Sequence, residues 1–291
     1  MEKKFTVEGF SAQLNLIGTD EANSLSDNPH EASVIEVTKP ATAATRSFTM
    51  PRTTEEACRE INKLKGKSLL AIDTETTGLD PLKDRIRLVQ IGAPGEPPLL
   101  LDMFALEREK TISALNELLE DIGKTKLFHN AKFDLSFLKV AGVNVEGPIF
   151  DTMLAEQLII SGLGNSSVKL SDLSLKYLHR PLSKEQQKSD WTGELSKEQL
   201  EYAARDVTVL LELYTPITQG IKKAKLSEVA QIEFETLPAV VALELNGILL
   251  DRQKLEKLTG QLHTELEEAE ANCRNLFGDG INLNSPKQLL E

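Results

Sequence analysis

The chain has 291 residues, 40% of them hydrophobic, which is enough to bury the core of one large domain or of two modest ones. Its two cysteines, Cys58 and Cys273, lie far apart and lack neighbouring histidine pairs, which argues against disulfides and zinc and favours a reducing, cytoplasmic location. No apolar run reaches the ~20 residues of a membrane span. The net charge of -12 opposes a polyanionic partner unless divalent cations lie between it and the protein.

The first 50 residues predict a mobile leader, because small, polar and acidic side chains mix there without a sustained period. Thr53-Thr54-Glu55-Glu56 is a helix-start pattern, and residues 53–64 predict the first helix. We expect one domain over residues 51–220 and a separate helical segment over residues 221–291.

Strands come first in the predicted domain, and helices are interleaved afterwards. The predicted strands cover residues 68–72, 85–91, 99–102 and 126–128, of which the first three form a meander. The predicted helices between and after them cover residues 111–122 and 131–140. This order indicates an α/β domain with a mixed sheet.

From residue 151 onward helical patterns dominate. The predicted helices cover residues 151–160, 170–178, 197–214, 228–245 and 251–276. Asn246-Gly247 is a helix-stop pattern between the last two. Because the sequence ends within the start of a further helical pattern, we expect the chain to be a fragment of a longer protein.

Two carboxylates stand two residues apart at the end of the first predicted strand. Asp73 and Glu75 leave one face of a strand, whereas Thr74 points to the other face. A solvated strand end would account for this pair equally well. However, the preceding apolar run predicts a buried strand, in which paired charges are costly without a neutralising cation.

A second constellation follows the fourth predicted strand. Asn130 and Asp134 are four residues apart and therefore share a helical face. Asn130 is predicted to cap the helix or to have a supporting role, and His129 to be structural. Asp134 opens an otherwise apolar stretch, which favours a functional role.

The third constellation is Tyr202 and Asp206, one helical turn apart. Alone, Tyr202 would more often be a core residue. Together the three constellations supply four carboxylates, which can hold two divalent cations about 3.5–4 Å apart for phosphodiester cleavage. Oxygen ligands favour Mg²⁺ or Mn²⁺ over Zn²⁺, and the tyrosine hydroxyl would orient or help deprotonate the attacking water.

These motifs resemble the three exonuclease motifs of the DEDDy group in the DnaQ-like, ribonuclease H-fold superfamily, over residues 53–220. The resemblance implies a metal-dependent 3′-5′ exonuclease with a ribonuclease H-like mixed β-sheet flanked by helices, followed by a C-terminal helical extension. It implies catalytic roles for Asp73, Glu75, Asp134, Tyr202 and Asp206, with the four acids as metal ligands. It also implies that Thr76, Thr77, Leu79 and Asn130 bind substrate. The element beginning at Asp151-Thr152 recurs too, and Asp151 is predicted to be structural.

Two branches of that superfamily compete. Ribonuclease D-like exonucleases share a segment similar to Asp190-Trp191 and residues 195–206. Residues 235–251 and 281–289 instead resemble the segment that joins the exonuclease to the polymerase module in family A DNA polymerases, the DNA polymerase I group. We therefore expect proofreading-type cleavage of a single-stranded DNA 3′ end to nucleoside 5′-monophosphates, a nucleoid-associated location and, as a partner, a polymerase module that this chain lacks.

Trimming of RNA 3′ ends and a catalytically silent nucleic-acid-binding scaffold are the alternative functions. Gly162-Leu163-Gly164 lacks the third glycine and the preceding strand of a dinucleotide-binding loop. Scattered basic residues are predicted to be solvated surface; they are Lys83, Arg85, Arg87, Lys132 and Arg205.

Overall fold

The computed structural model describes residues 48–161, 167–182, 189–278 and 280–290. Most of the predicted leader and the Gly162-Leu163-Gly164 pattern lie outside these residues. The last three residues of the predicted leader, 48–50, lie against the sheet: the Thr49 amide donates to the Pro98 carbonyl, and the Thr49 carbonyl accepts from Leu100, both at 2.8 Å. These residues therefore belong to the folded domain.

A five-stranded mixed sheet of order β3-β2-β1-β4-β5 forms the centre of the fold. The strands are β1 (Leu69–Thr76), β2 (Ile86–Gly92), β3 (Leu99–Asp102), β4 (Thr125–Phe128) and β5 (Ile149–Asp151). The first three pair antiparallel, whereas β4 pairs parallel with β1 and with β5. The predicted meander and mixed sheet are confirmed.

Strand β5 was not predicted from the sequence. It is three residues long and exists through its pairing with β4, in which Lys126 lies opposite Ile149 and Phe128 opposite Asp151. The helix predicted to begin at residue 151 begins at Thr152, because Asp151 ends the strand and caps the helix.

Nine helices flank and follow the sheet within the described residues. They are α1 (Thr54–Lys63), α2 (Arg108–Leu119), α3 (Ala131–Ala141), α4 (Thr152–Ile159), α5 (Leu170–Leu178), α6 (Lys197–Lys223), α7 (Ser227–Asn246), α8 (Arg252–Phe277) and α9 (Pro286–Leu289). Helix α6 continues nine residues beyond its predicted end near residue 214 and contains Pro216. None of the described helices is both long and apolar enough to cross a membrane.

The two faces of the sheet carry different helices. Leu70, Ile72 and Val89 pack in one buried cluster with residues of α1, α2 and α3. On the opposite face, Ala71 packs with α6. A Cβ at Gly92 would lie 3.2 Å from the Val207 side chain, so the absence of a side chain there lets α6 lie close over β2 and β1.

The helical extension that was expected at the C-terminal end is present, but its two long helices differ. Helix α7 buries Ala230, Phe234, Leu237 and Val241 against the domain. Helix α8, described over its whole length, has no buried residue. The domain boundary predicted at residue 220 falls inside α6, and the packed body continues through α7.

Candidate active site

Strand β1 carries the first two candidate carboxylates on the face covered by α6. Asp73 lies opposite Gln90 and Glu75 opposite Leu88 in the antiparallel pairing with β2. Alternate residues of a strand share a face, so both side chains follow Ala71, which packs against α6. The pairing shifts by one residue after Glu75, so that Thr76, the last residue of the strand, pairs with Ile86.

Asp134, in the first turn of α3, reaches the same point from the other face of the sheet. Its carboxylate is buried and accepts a 2.7 Å hydrogen bond from the Thr74 hydroxyl. Thr74 does point away from Asp73 and Glu75, as expected, but into a site contact that the sequence analysis missed. A threonine between two acidic residues on a strand was the available signal.

Helix α6 supplies the remaining two candidates. A capping box fixes its start: the Ser196 hydroxyl accepts from the Gln199 amide, and the Gln199 side chain accepts from the Ser196 amide. Tyr202 and Asp206 follow one turn apart, and the Tyr202 hydroxyl hydrogen-bonds Asp206. The small residue Ala203, fully buried between them, lets the helix lie close to the sheet.

All five predicted catalytic residues line one cleft of about 330 Å³. The structure therefore brings together side chains from β1, α3 and α6, which are separated by up to 133 positions. The remaining lining residues are Thr74, His129, Asn130, Phe133, Met153, Val168, Lys169, Leu170, Ser171 and Leu182.

Burial is the main reason why the four carboxylates resist ionisation. It raises the pKa of Glu75 to about 9 and those of Asp134 and Asp206 to about 7, and it raises the pKa of Asp73 well above its usual value. The negative charges of Asp134, Glu75 and Asp206 add to the effect at Asp73. The Thr74 hydroxyl lowers the pKa of Asp134, and the Tyr202 hydroxyl lowers the pKa of Asp206.

Tyr202 remains a protonated hydrogen-bond donor. Burial and the charges of Asp206, Glu75 and Asp73 raise the pKa of its hydroxyl far above the usual value. A phenol in this environment does not lose its proton at neutral pH. The structure therefore favours an orienting role for the hydroxyl over deprotonation of water.

The donor set fits a hard divalent cation. Four carboxylates, of which Asp134 and Asp206 are buried, line one cleft, and the ion pairs found among the described residues include none of them. Within the described ranges, no three His, Cys, Asp or Glu side chains already stand in metal-ligating geometry.

Asn130 is the N-cap residue of α3, as the first of its two predicted roles required, but its side chain does not provide the cap. It occupies the N-cap position in the left-handed conformation, with φ 69°, and its side chain makes no capping hydrogen bond. Asp151 provides the cap instead. Its carboxylate accepts from the amides of Asn130 at 3.1 Å and Ala131 at 2.7 Å, and also from Met153 and Leu154 at the start of α4.

Three of the predicted substrate-binding residues lie on the segment after Glu75. The Thr76 hydroxyl donates to the Gly78 carbonyl at 2.6 Å, and the Thr77 hydroxyl accepts from the Arg85 amide at 3.0 Å. Leu79 is 83% exposed. None of the three lines the cleft, whereas Asn130 does.

His129 is half-buried at the wall of the cleft, where its Nδ1 lies at hydrogen-bond distance, 2.9 Å, from the Thr152 hydroxyl. Burial lowers its pKa to about 4, so the ring is neutral near pH 7. Among the basic residues, the surface interpretation was wrong for Arg87, which is buried and bonds Asp102 at 3.0 Å. Arg85 and Arg87 both lie 4.7 Å from the centre of the Phe104 ring.

A mixed sheet with acidic residues from its central strand and from two flanking helices is the architecture of the ribonuclease H-like exonucleases, and the protein is a nuclease of that class. The family model described as 3′-5′ exonuclease matches residues 46–222, and the chain belongs to this family.

Curated relatives of the chain are bacterial DNA polymerases I. The enzyme of Borreliella burgdorferi is 33% identical over 241 residues, which are 79% of this chain and 26% of the relative. That of Aquifex aeolicus is 33% identical over 258 residues, which are 81% of this chain and 42% of the relative. The chain therefore spans about a quarter to two fifths of the length of these relatives.

Solved structures of nucleases are similar as well. Brucella melitensis NrnC bound to pGG is 29% identical, with 69% of this chain and 95% of that chain covered and a TM-score of 0.58. NrnC with bound Mg²⁺ is 32% identical, covering 63% and 88%, with a TM-score of 0.54. Escherichia coli RNase D is 22% identical, covers 67% and 50%, has a TM-score of 0.59 and shares the fold.

Proposed function

We propose that this chain removes nucleotides from the 3′ end of single-stranded DNA by two-metal-ion catalysis, releasing nucleoside 5′-monophosphates as proofreading requires. The observation that carries the proposal is the convergence of Asp73, Glu75, Asp134 and Asp206 in one cleft, where Asp134 and Asp206 are buried and none of the four forms an ion pair among the described residues. A site that holds four acids in this way requires cations to become charged.

The four carboxylates would hold two divalent cations, Mg²⁺ or Mn²⁺, because hard cations prefer oxygen ligands. When bound, the cations supply the acidification of the attacking water and stabilise the leaving oxygen. Thr74 and Tyr202 orient Asp134 and Asp206 by donating hydrogen bonds to their carboxylates. The protonated Tyr202 hydroxyl would also orient the water through its oxygen lone pair.

The substrate is proposed to enter past the segment after β1. Thr76, Thr77 and Leu79 would contact the terminal nucleotide, and Asn130 would contact it from the start of α3. The high exposure of Leu79 supports a role outside the core, since an exposed leucine can pack on a base without being needed for folding.

The functional partner and the location of the chain are proposed from its relatives. Because the curated relatives are DNA polymerases I of which this chain spans a part, we propose a polymerase module as its functional partner and a nucleoid-associated location. Trimming of RNA 3′ ends is a second candidate, supported by the similarity to NrnC solved with pGG.

The test is hydrolysis of matched 3′-labelled single-stranded DNA and RNA with Mg²⁺, with Mn²⁺ and with chelator. We expect metal-dependent release of labelled mononucleotide, faster from DNA, and its loss in Asp73→Ala and Asp206→Ala. Faster release from RNA would support the second candidate. Undiminished hydrolysis in both variants would refute the assignment of the site, and an inactive wild-type protein would indicate a silent scaffold.

A further inference from the structure

One polar side chain in the interior of the sheet has no hydrogen-bond partner among the described residues. Gln90 lies in the middle of β2 and is 0% exposed. Neither its amide nitrogen nor its amide oxygen makes a hydrogen bond within the part of the chain that the structure describes. Unpaired buried amides are costly and rare, so this amide is available to a partner that binding brings into reach.

The register of the sheet places this amide beside Asp73. Gln90 and Asp73 are direct partners in the antiparallel pairing of β2 with β1. Side chains of directly opposite residues project from the same face, with Cβ atoms about 4.5–5.5 Å apart. A glutamine at this position has the length to reach the carboxylate of its partner.

Helix α6 covers the face of the sheet on which the Gln90 amide lies. Gly92, two residues along β2 and on the same face as Gln90, lies against Val207. Leu88, two residues in the other direction, packs in a cluster with Ala203 and Ala204. The amide is therefore enclosed between β1, β2 and the turn of α6 that carries Asp206.

The chemistry of the two groups is complementary once a cation is bound. A carboxylate that ligates a cation through one oxygen keeps lone pairs on the other oxygen, and an amide nitrogen has two hydrogens to donate. Groups that hydrogen-bond to ligating side chains in this way fix their orientation and strengthen metal binding.

We propose that Gln90 is a positioning residue for metal binding, whose amide nitrogen donates to the Asp73 carboxylate when a divalent cation is present. This inference rests on the proposed function, since it requires that Asp73 be a metal ligand. Gln90 itself touches neither substrate nor cation.

The first experiment measures Mn²⁺ binding to the whole chain by the electron paramagnetic resonance of free Mn²⁺, without substrate. Gln90→Met keeps the size of the side chain and removes the amide. We expect folding to be unchanged or improved, because an unpaired buried polar group is lost, while Mn²⁺ affinity falls about 10- to 100-fold.

Thr218→Val is the matched control. The Thr218 hydroxyl is also buried without a partner among the described residues, but it lies twelve residues beyond Asp206 on α6, roughly 18 Å along the helix. We expect its removal to leave Mn²⁺ affinity unchanged. A second variant, Gln90→Asn, keeps a buried amide but shortens its reach, and we expect it to weaken Mn²⁺ binding as well.

The outcomes separate this inference from the function on which it rests. Wild-type protein that binds Mn²⁺ and cleaves DNA, together with a folded Gln90→Met that binds Mn²⁺ equally well, would overturn the role of Gln90 alone. If Gln90→Met does not fold, wild-type affinity in Gln90→Asn overturns it instead. Absence of Mn²⁺ binding and hydrolysis in the wild-type protein would refute the proposed function and this inference together.

Discussion

Thr74 and Asp134 are joined by a buried hydrogen bond of 2.7 Å between β1 and α3. The bond links the central strand to the helix that supplies the third carboxylate, and it favours the charged form of Asp134. It therefore fixes the position of Asp134 relative to Asp73 and Glu75 before any cation binds.

Thr74→Val should weaken metal binding without unfolding the domain. Valine has the shape of threonine but cannot donate, and a hydrogen bond to a charged group contributes about 1.5–3 kcal/mol. We expect Mn²⁺ affinity to fall roughly 10- to 100-fold, measured by titration. Thr111→Val is the control, because that buried hydroxyl donates to the Glu107 carbonyl, away from the cleft. Equal affinities in both variants would contradict the prediction.

Tyr202→Phe should lower kcat about 10- to 100-fold while the protein still binds metal, because one hydrogen bond to a charged group is lost. The hydroxyl also lowers the pKa of Asp206, so the ascending limb of the activity profile should move to higher pH. Single-turnover rates from pH 6 to 9 test both effects. An unchanged profile would show that Tyr202 does not influence Asp206.

The metal-free protein should lose stability as pH rises. The raised pKa values of Asp134 and Asp206, about 7, and of Glu75, about 9, mean that the folded state holds protons that the unfolded state releases from about pH 4 upward. His129 acts in the opposite direction, but only below its usual pKa of about 6.5.

Melting curves at pH 6.5 and pH 9 with chelator measure this loss of stability. Lys126 opposes it above about pH 8, because burial lowers the pKa of its ammonium group to about 8, so the comparison with Glu75→Gln is needed to identify the carboxylate. We expect Tm to be lower at pH 9 by at least about 2 °C, the shift that 1 kcal/mol produces in a domain of this size. Mg²⁺ should raise Tm more at pH 9 than at pH 6.5, since it binds the ionised acids. Glu75→Gln should flatten the dependence; a slope as steep as in the wild type would count against Glu75 as its source.

Asp151→Ala should destabilise the domain by about 3 kcal/mol or more. The carboxylate accepts from four amides, including that of Asn130 in its left-handed conformation. Loss of a helix cap costs about 1 kcal/mol, and each buried donor left without a partner adds about 1–3 kcal/mol. Urea denaturation measures the change. A loss below 1 kcal/mol would mean that water replaces the carboxylate.

Leu79→Ala should raise KM for single-stranded DNA with little change in stability, because the side chain is 83% exposed. Leu82→Ala is the matched control, since Leu82 lies on the same segment and is 67% exposed. We expect a rise of about 10-fold for Leu79 alone, in line with burial of most of a leucine side chain against a base. Parallel effects in both variants would indicate a general surface effect.

The sequence predicted most of the sheet, because strand periodicity is local, and the spacing of its motifs predicted the acids that the structure brings to one cleft. It missed β5, which is defined by pairing with β4 rather than by its own three residues. Lys126 shows why burial was harder to predict: its ammonium group is accommodated inside the protein by the backbone carbonyl of Asp121, just before β4, and by that of Glu146, just before β5.

The site contacts that the sequence analysis missed also depend on residues that lie far apart along the chain. The bond from Thr74 to Asp134 and the capping of α3 by Asp151 depend on how β1, α3 and β5 meet in space. Spacing along the chain identifies residues that share a face, whereas the partner across an interface is set by packing.

The packing of α7 determines where the protein can be truncated without exposing the core of the nuclease domain. Phe234, Leu237 and Val241 are buried in the clusters that also hold the sheet, and Glu244 pairs with Lys132 on α3 at 2.6 Å. A protein ending at residue 222, the limit of the family match, would expose this apolar surface beside the helix that carries Asp134. We expect such a protein to aggregate, and the smallest soluble, active nuclease to include α7 through Asn246.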